Sequence, residues 1–149
     1  MPLPLLLADI SQMEIVAQSV PQLAWRLAER FWPGSLTLVL NKASSISDMV
    51  TAGGNTVAVR IPHHPIPIAL IRGLGTPITG TSANLSGRPN PLTAQGVREQ
   101  IGERIDFIID GGRCGGAPST IVDVTGEVPV ILREGAIPKE EIEEICVLP

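Results

Sequence analysis

Pro77-Ile78-Thr79-Gly80-Thr81-Ser82-Ala83-Asn84-Leu85-Ser86-Gly87-Arg88 begins as a short apolar strand and ends as a polar turn. Thr79, Thr81, Ser82, Asn84 and Ser86 place five hydroxyl or amide side chains within eight residues. Packing gives a buried strand no reason to end that way. In an extended segment Ser82 and Asn84, two apart, point to one face and can reach one ligand together. The expectation is the floor of a small-molecule site. The alternative is a turn whose Ser and Asn satisfy only their own backbone, and the pattern leaves both open.

Upstream, Ser11-Gln12-Met13-Glu14 has capping-box spacing and predicts a short helix after Ser11. Pro21 opens a second helix, with Leu23, Leu27 and Phe31 on one face and Arg26 and Arg30 largely on the other, stopped by Pro33-Gly34. Leu36 to Leu40 predicts a strand and Asn41 to Asn55 a polar loop. Thr56 to Ile61 predicts a strand in which Val57 and Val59 share a face. Pro62 to Pro67 reads as a bend, and Ile68 to Ile71 as a short helix ended by Gly73. Downstream, Pro89 to Thr93 is a loop and Thr93 caps a helix to about Ile101. Ile105 to Ile109 reads as a buried strand closed by Asp110-Gly111-Gly112. Ser119 to Val124 and Val128 to Leu132 flank Thr125-Gly126-Glu127 as a hairpin. Pro138 to Ile145 is an acidic terminal helix. Five or so strands mixed with helices give an α/β or α+β sheet, read as one domain over residues 1–149 with no internal repeat.

The chain is 44% hydrophobic but only 3% aromatic, with no Tyr, so its core must be built from Leu, Ile, Val and Ala. A chain of this length buries about two-thirds of its unfolded surface. No apolar run approaches the roughly 20 residues of a membrane span. The apolar Met1 to Ala8 lacks the basic start of a signal peptide. A cytoplasmic protein without a membrane partner is expected. Cys114 and Cys146 carry no CxxC spacing, and reduced thiols are the expectation. The net charge of −4 argues against wholesale coating of nucleic acid. Nine of the eleven basic residues are nevertheless Arg, spread over the middle of the chain, which leaves a locally basic face open.

Several polar clusters fall at strand ends or in turns. Arg60 lies near the end of a strand, where burying it without an anionic partner is costly; the alternative is a surface Arg paired with a nearby Asp. Gly111-Gly112-Arg113-Cys114-Gly115-Gly116 is a glycine-rich loop whose backbone N–H groups can approach a phosphate or carboxylate. It lacks the Lys-Ser/Thr ending of a Walker A motif. Arg133 follows a strand and reads as an anion clamp or a rim residue. His63 and His64 are adjacent and point in different directions, so no metal site is expected. No nucleophile has an evident general base, so no residue is expected to act as either. An enzyme built this way works by orientation and charge stabilisation.

Five segments occur together and in order: Phe31-Trp32-Pro33-Gly34-Ser35-Leu36-Thr37, Val57-Ala58-Val59-Arg60-Ile61-Pro62, Thr81-Ser82-Ala83-Asn84-Leu85-Ser86-Gly87, Pro118-Ser119-Thr120-Ile121-Val122-Asp123 and Leu132-Arg133-Glu134-Gly135. With them the chain resembles the YrdC-type threonylcarbamoyl-AMP synthases from about Pro2 to Ile137. The resemblance implies a YrdC-like twisted mixed sheet flanked by helices. It implies a nucleotidyltransferase that turns L-threonine, bicarbonate and ATP into threonylcarbamoyl-AMP and pyrophosphate, with Mg²⁺. The product serves threonylcarbamoyladenosine modification at tRNA position 37, so tRNA and the proteins of threonylcarbamoyl transfer are implied partners. Carried over residue by residue, Arg60, Ser82 and Ser119 are implied threonine contacts. Thr56, Asn84 and Arg133 are implied ATP contacts, with the backbone at Leu92 beside the nucleotide.

Members of that family carry a Thr-x-Tyr-Gly-Leu-like motif and a Lys-x-Arg-Pro motif ahead of the stretch that Pro2-Leu3-Pro4-Leu5-Leu6-Leu7 resembles. Met1 falls just after the place of the second. The expectation is a domain missing its first strands and keeping only Ser82 and Asn84 of a Lys, Arg, Ser and Asn set. Such a chain is expected to have weak or absent synthase activity by itself and an exposed sheet edge. Two other functions stay open. One is a non-catalytic module binding tRNA or double-stranded RNA. The other is a relative that transfers a carbamoyl group in hydrogenase maturation, whose larger chain and zinc-finger-like cysteines are missing here.

Overall fold

A computed structural model describes residues 2–115 and 117–147. These residues fall into two compact units, one within 1–80 and 118–149 and one within 81–117. The first holds a mixed six-stranded sheet of order β4-β1-β3-β2-β5-β6. Its strands are β1 (Leu5–Leu6), β2 (Leu36–Asn41), β3 (Thr56–Arg60), β4 (Ile78–Thr79), β5 (Thr120–Asp123) and β6 (Val130–Arg133). β2 runs antiparallel to β3, with Leu38 opposite Val59, and parallel to β5, with Leu36 opposite Thr120. The helices of this unit are α1 (Met13–Val16), α2 (Gln22–Phe31), α3 (Asp48–Thr51), α4 (Pro65–Leu74) and α6 (Lys139–Val147).

Strand alternation separates two sheet faces. Leu36, Leu38 and Leu40 of β2, Val57 and Val59 of β3 and Val122 of β5 are all buried. They form one cluster with Met13 and Val16 of α1, Ala24, Leu27 and Ala28 of α2 and Ile142 of α6. The intervening residues, among them Thr37, Val39, Thr56, Ala58, Arg60 and Ile121, point to the second face. Sequence alternation in β2 and β3 thus decides which residues are left for a site.

The structure moves several expected boundaries. The capping box at the first helical turn belongs to Asp9 and Gln12, two residues earlier than Ser11 and Glu14. Asp9 Oδ1 accepts from Ser11 N at 2.9 Å, and Gln12 Oε1 accepts from Asp9 N at 3.4 Å and also from Ala8 N at 2.7 Å. A 3-10 turn (Ile10–Gln12) therefore precedes α1. The bend at Pro62 to Pro67 is shorter than expected, because His64 Nδ1 accepts from Ile66 N and starts α4 at Pro65. That helix runs past Gly73 and ends at Gly75. The polar loop after β2 contains α3, capped by Ser47. Within the apolar N-terminal stretch lies β1, parallel to β3 and antiparallel to β4.

In the second unit, Thr93 caps α5 (Ala94–Ile101) as expected, its Oγ1 accepting from Gly96 N. The expected buried strand over Ile105 to Ile109 does not form. Those residues pair with no strand, and Ile105, Phe107 and Ile109 are 37%, 81% and 47% exposed. Their apolar alternation is that of a strand, but a strand exists only where another supplies its hydrogen bonds.

Candidate anion site on the second sheet face

The site in the first unit starts at the turn between α2 and β2. Trp32–Pro33 is a cis peptide. Trp32 Nε1 donates to Leu36 O at 2.8 Å, and Gly34 N donates to Ile61 O at 2.9 Å. A Cβ on Gly34 would stand 2.3 Å from Phe31 O, so only glycine fits this turn. The turn presents Gly34 O to Arg60, whose Nε donates to it at 2.7 Å. Arg60 is half-buried at the end of β3, and continuing the β2–β3 ladder by one residue sets it opposite Thr37.

Thr37 and Ser119 are both buried, and their hydroxyls meet at 2.8 Å. Arg133, at the end of β6, donates from Nε and Nη2 to Ser119 O at 3.1 and 2.8 Å. Its Nη2 also reaches Ser119 Oγ at 3.2 Å. A register shift between Ile121 and Val122 sets Arg133 opposite Ile121, on the second face. Arg60, Arg133, Ser119 and Thr37 therefore come together from four strands or strand ends.

The electrostatics of this cluster favour an anion. Among the described residues neither Arg60 nor Arg133 forms an ion pair with a carboxylate. Burial, and then the positive charge of Arg133, hold the Arg60 guanidinium below its ordinary pKa. A guanidinium stays protonated in proteins, so the half-buried Arg60 and the exposed Arg133 set two like charges among neutral oxygens only. Bringing in a carboxylate or phosphate relieves that repulsion and uses the N–H groups left over. Arg60 has both Nη groups, and Arg133 its Nη1, without a partner among the described residues.

Of the expected site residues, the structure brings Arg60, Ser119 and Arg133 together. Thr56 is exposed at the other end of β3, paired with Asn41 in the ladder. There it borders a polar depression of about 330 Å³ lined by Gln18, Asn41, Lys42 and Asn55. A larger groove of about 470 Å³ lies between β6 and α6 and has Arg133 on its rim, without Arg60, Thr37 or Ser119. Thr37 is not among the expected site residues; its signal in the sequence is that it steps out of the Leu36, Leu38, Leu40 row.

Ser82, Asn84 and Leu92 belong to the second unit. Ser82 is exposed, and the strand before it ends at Thr79. Asn84 Nδ2 donates to Leu85 O and Arg88 O, both at 2.9 Å, so its amide closes its own turn. Its Oδ1 is buried with no partner among the described residues. Leu92 O accepts from Cys114 N at 2.8 Å. Of the glycine-rich loop, Gly112 N donates to Asp110 Oδ1. The N–H groups of Gly112 and Cys114 in that loop are thus already spent, on Asp110 and Leu92; its Gly116 lies outside the described residues. Among the described residues no cluster of three His, Cys, Asp or Glu side chains is placed to hold a metal. No helix among them is long and apolar enough to cross a membrane.

Comparison with known proteins adds to this geometry. Threonylcarbamoyl-AMP synthase of Bacillus subtilis (strain 168) is 48% identical over 146 residues, which are 97% of this chain and 42% of that protein. The crystal structure of Pyrococcus abyssi Sua5 complexed with L-threonine is 46% identical, with a TM-score of 0.92 over 97% of this chain and 43% of that one. The crystal structure of E. coli YciO is 29% identical, with a TM-score of 0.83 over 92% of this chain and 67% of that one. The chain thus spans less than half the length of the first two. The Sua5/YciO/YrdC family model, described as "Telomere recombination", matches residues 1–135. On that match, and on the mixed sheet that carries the paired arginines, the chain belongs to the Sua5/YciO/YrdC family.

Proposed function

We propose that this chain carries the threonine- and nucleotide-binding core of a threonylcarbamoyl-AMP synthase. In this reading L-threonine, bicarbonate and ATP give threonylcarbamoyl-AMP and pyrophosphate for tRNA modification, in the cytoplasm. The observation that carries it is the pair Arg60 and Arg133, without carboxylate partners, around the Thr37–Ser119 hydroxyls. Arg60 and Ser119 would hold the threonine carboxylate and fix its orientation. Arg133 would meet phosphate charge. The threonine carbamate oxygen would then attack the α-phosphorus in line as pyrophosphate leaves. Ser82 as a threonine contact, and Thr56, Asn84 and the backbone at Leu92 as ATP contacts, belong to the same proposal.

The donor set of the anion site is guanidinium and hydroxyl, with no carboxylate. It suits phosphate oxygens and offers a divalent cation no charged ligand, so Mg²⁺ would arrive on the nucleotide's own phosphates. An RNA-binding reading has less support. Residues 81–117 carry four arginines, Arg88, Arg98, Arg104 and Arg113, and four carboxylates, Glu99, Glu103, Asp106 and Asp110, so their charges cancel in number. A phosphate backbone needs an excess of positive charge.

Calorimetric titration with L-threonine and with ATP, beside pyrophosphate release, tests the proposal. Charge-assisted hydrogen bonds are worth roughly 1.5–3 kcal/mol, so Arg60→Ala should weaken threonine roughly 10- to 150-fold. Arg133→Ala should weaken ATP instead. Threonine binding that ignores Arg60→Ala, or a chain that binds neither ligand, would overturn the assignment.

A further inference from the structure

We propose that Thr120 and Gly135 are positioning residues: together they press the turn after β6 onto the Ser119 peptide and so aim Arg133. The inference rests on the anion-site reading above, and its measurement also works without it.

Thr120 is fully buried on the core face of β5. A hydroxyl has one donor and two acceptor positions, and this one uses all three. Oγ1 donates to Ile137 O at 2.7 Å and accepts from Gly135 N at 2.9 Å and Ile137 N at 3.1 Å. One side chain therefore ties down the whole Gly135–Ile137 turn. Ala136 N donates to Pro118 O at 2.9 Å and adds a second tie.

Gly135 makes the approach possible. A Cβ there would stand 2.4 Å from Pro118 O, 2.6 Å from Ser119 C and 2.7 Å from Ser119 O. All three are backbone atoms, so no side-chain adjustment could make room. The requirement is space and not backbone conformation. Ser119 O, one of the atoms Gly135 presses on, accepts from Nε and Nη2 of Arg133. Arg133 stands two residues before Gly135, so the chain turns back to hold the acceptor of its own preceding arginine. Nε and Nη2 are thereby fixed on Ser119, and Nη1 is left for a ligand. Neither Thr120 nor Gly135 need touch that ligand.

The test compares Thr120→Val, which keeps the shape and removes the hydroxyl, Thr120→Ser, which restores it, and Gly135→Ala. The readouts are the Arg133 Nε–H NMR signal, assigned by its loss in Arg133→Lys, the affinity for inorganic pyrophosphate as a probe, and thermal melting. Thr120→Val and Gly135→Ala should shift or broaden the Arg133 signal. They should also weaken pyrophosphate about tenfold, the equivalent of roughly 1.4 kcal/mol. Thr120→Ser should restore both to within about twofold, less than the worth of one hydrogen bond. A folded Thr120→Val chain with an unchanged Arg133 signal overturns the inference. So does a Thr120→Ser chain no better than Thr120→Val. A wild-type chain that binds no pyrophosphate would sink the Arg133 phosphate role alone, because the Nε–H signal still reports how Arg133 is held. Should Gly135→Ala not fold, the two Thr120 variants decide.

Discussion

Residues 1–80 and 118–149 contain every buried apolar side chain of the described chain, while no described residue of 81–117 is buried. The two units are ordered by different means. In the first, a sheet and helices α1, α2 and α6 close over Leu27, Leu38, Val59 and Ile142, all fully buried. In the second, hydrogen bonds between exposed and half-buried groups set the conformation, with no buried apolar cluster. Gln100 reaches Leu85 N and Pro89 O, Asn84 closes its own turn, and Thr93 caps α5. Burial is cooperative and anchors long-range geometry, whereas a capped turn stabilises only itself. That difference explains why Arg60, Ser119 and Arg133 are locked by bonds across the sheet, while Ser82 stands exposed.

The contrast can be broken most directly by truncating one apolar residue in each unit. Leu38→Ala, at a fully buried site, should cost about 2–5 kcal/mol, against a usual total of roughly 5–15 kcal/mol. Phe107→Ala, at a position 81% exposed, should stay within about 0.5 kcal/mol. Denaturant melts measure both, and equal losses would show that Phe107 is held as firmly as the core. Thiol chemistry sharpens the same contrast by several-fold. Burial, partly offset by Arg26, pushes the Cys146 thiol up from its ordinary pKa, whereas Cys114 is exposed in the second unit. The thiolate is the reacting form, so iodoacetamide near neutral pH should label Cys114 first. Labelling at one common rate would contradict this.

The smallest expected effect compares two helix caps. Bonds from the Ser11 hydroxyl and then the Ser11 backbone N–H hold the Asp9 carboxyl below its ordinary pKa. A carboxyl lowered by folding stabilises above its unfolded pKa, and that contribution disappears as pH falls through the native pKa. The melting gap between the wild type and Asp9→Asn should be full above about pH 4, where an unfolded Asp is charged, and shrink below it. Thr93, the cap of α5, carries no charge, so the gap to Thr93→Ala should not vary with pH. An Asp9 gap that stays constant into acid would remove the charge from the account of that cap.

Much of the first unit is legible residue by residue. The Leu36–Leu38–Leu40 and Val57–Val59 rows mark two strands and their buried face, and turn residues mark the hairpin of β5 and β6. The two-residue β1 is not legible, because two residues carry no period; it is a strand through its pairing with β3 and β4. The Ile105–Phe107–Ile109 row errs the other way, having the period of a strand and no partner. For the site, Arg60 and Arg133 stand out as charged groups at strand ends. That Ser119 receives Arg133 from fourteen residues away cannot be seen in the chain.

The sequence by itself determined what depends on near neighbours: strand alternation, the Thr93 cap, the turn at Gly34 and the family motifs that contain the anion-site residues. Only the tertiary structure decided what depends on partners far along the chain. It placed β1 beside β3, left Ile105 to Ile109 unpaired, and brought Arg60 and Arg133 to one pair of hydroxyls. The physical reason is that side-chain periodicity and capping act within a few residues. A sheet ladder, a close approach such as Gly135 against Ser119, and the repulsion between two guanidiniums exist only once the chain has folded back on itself.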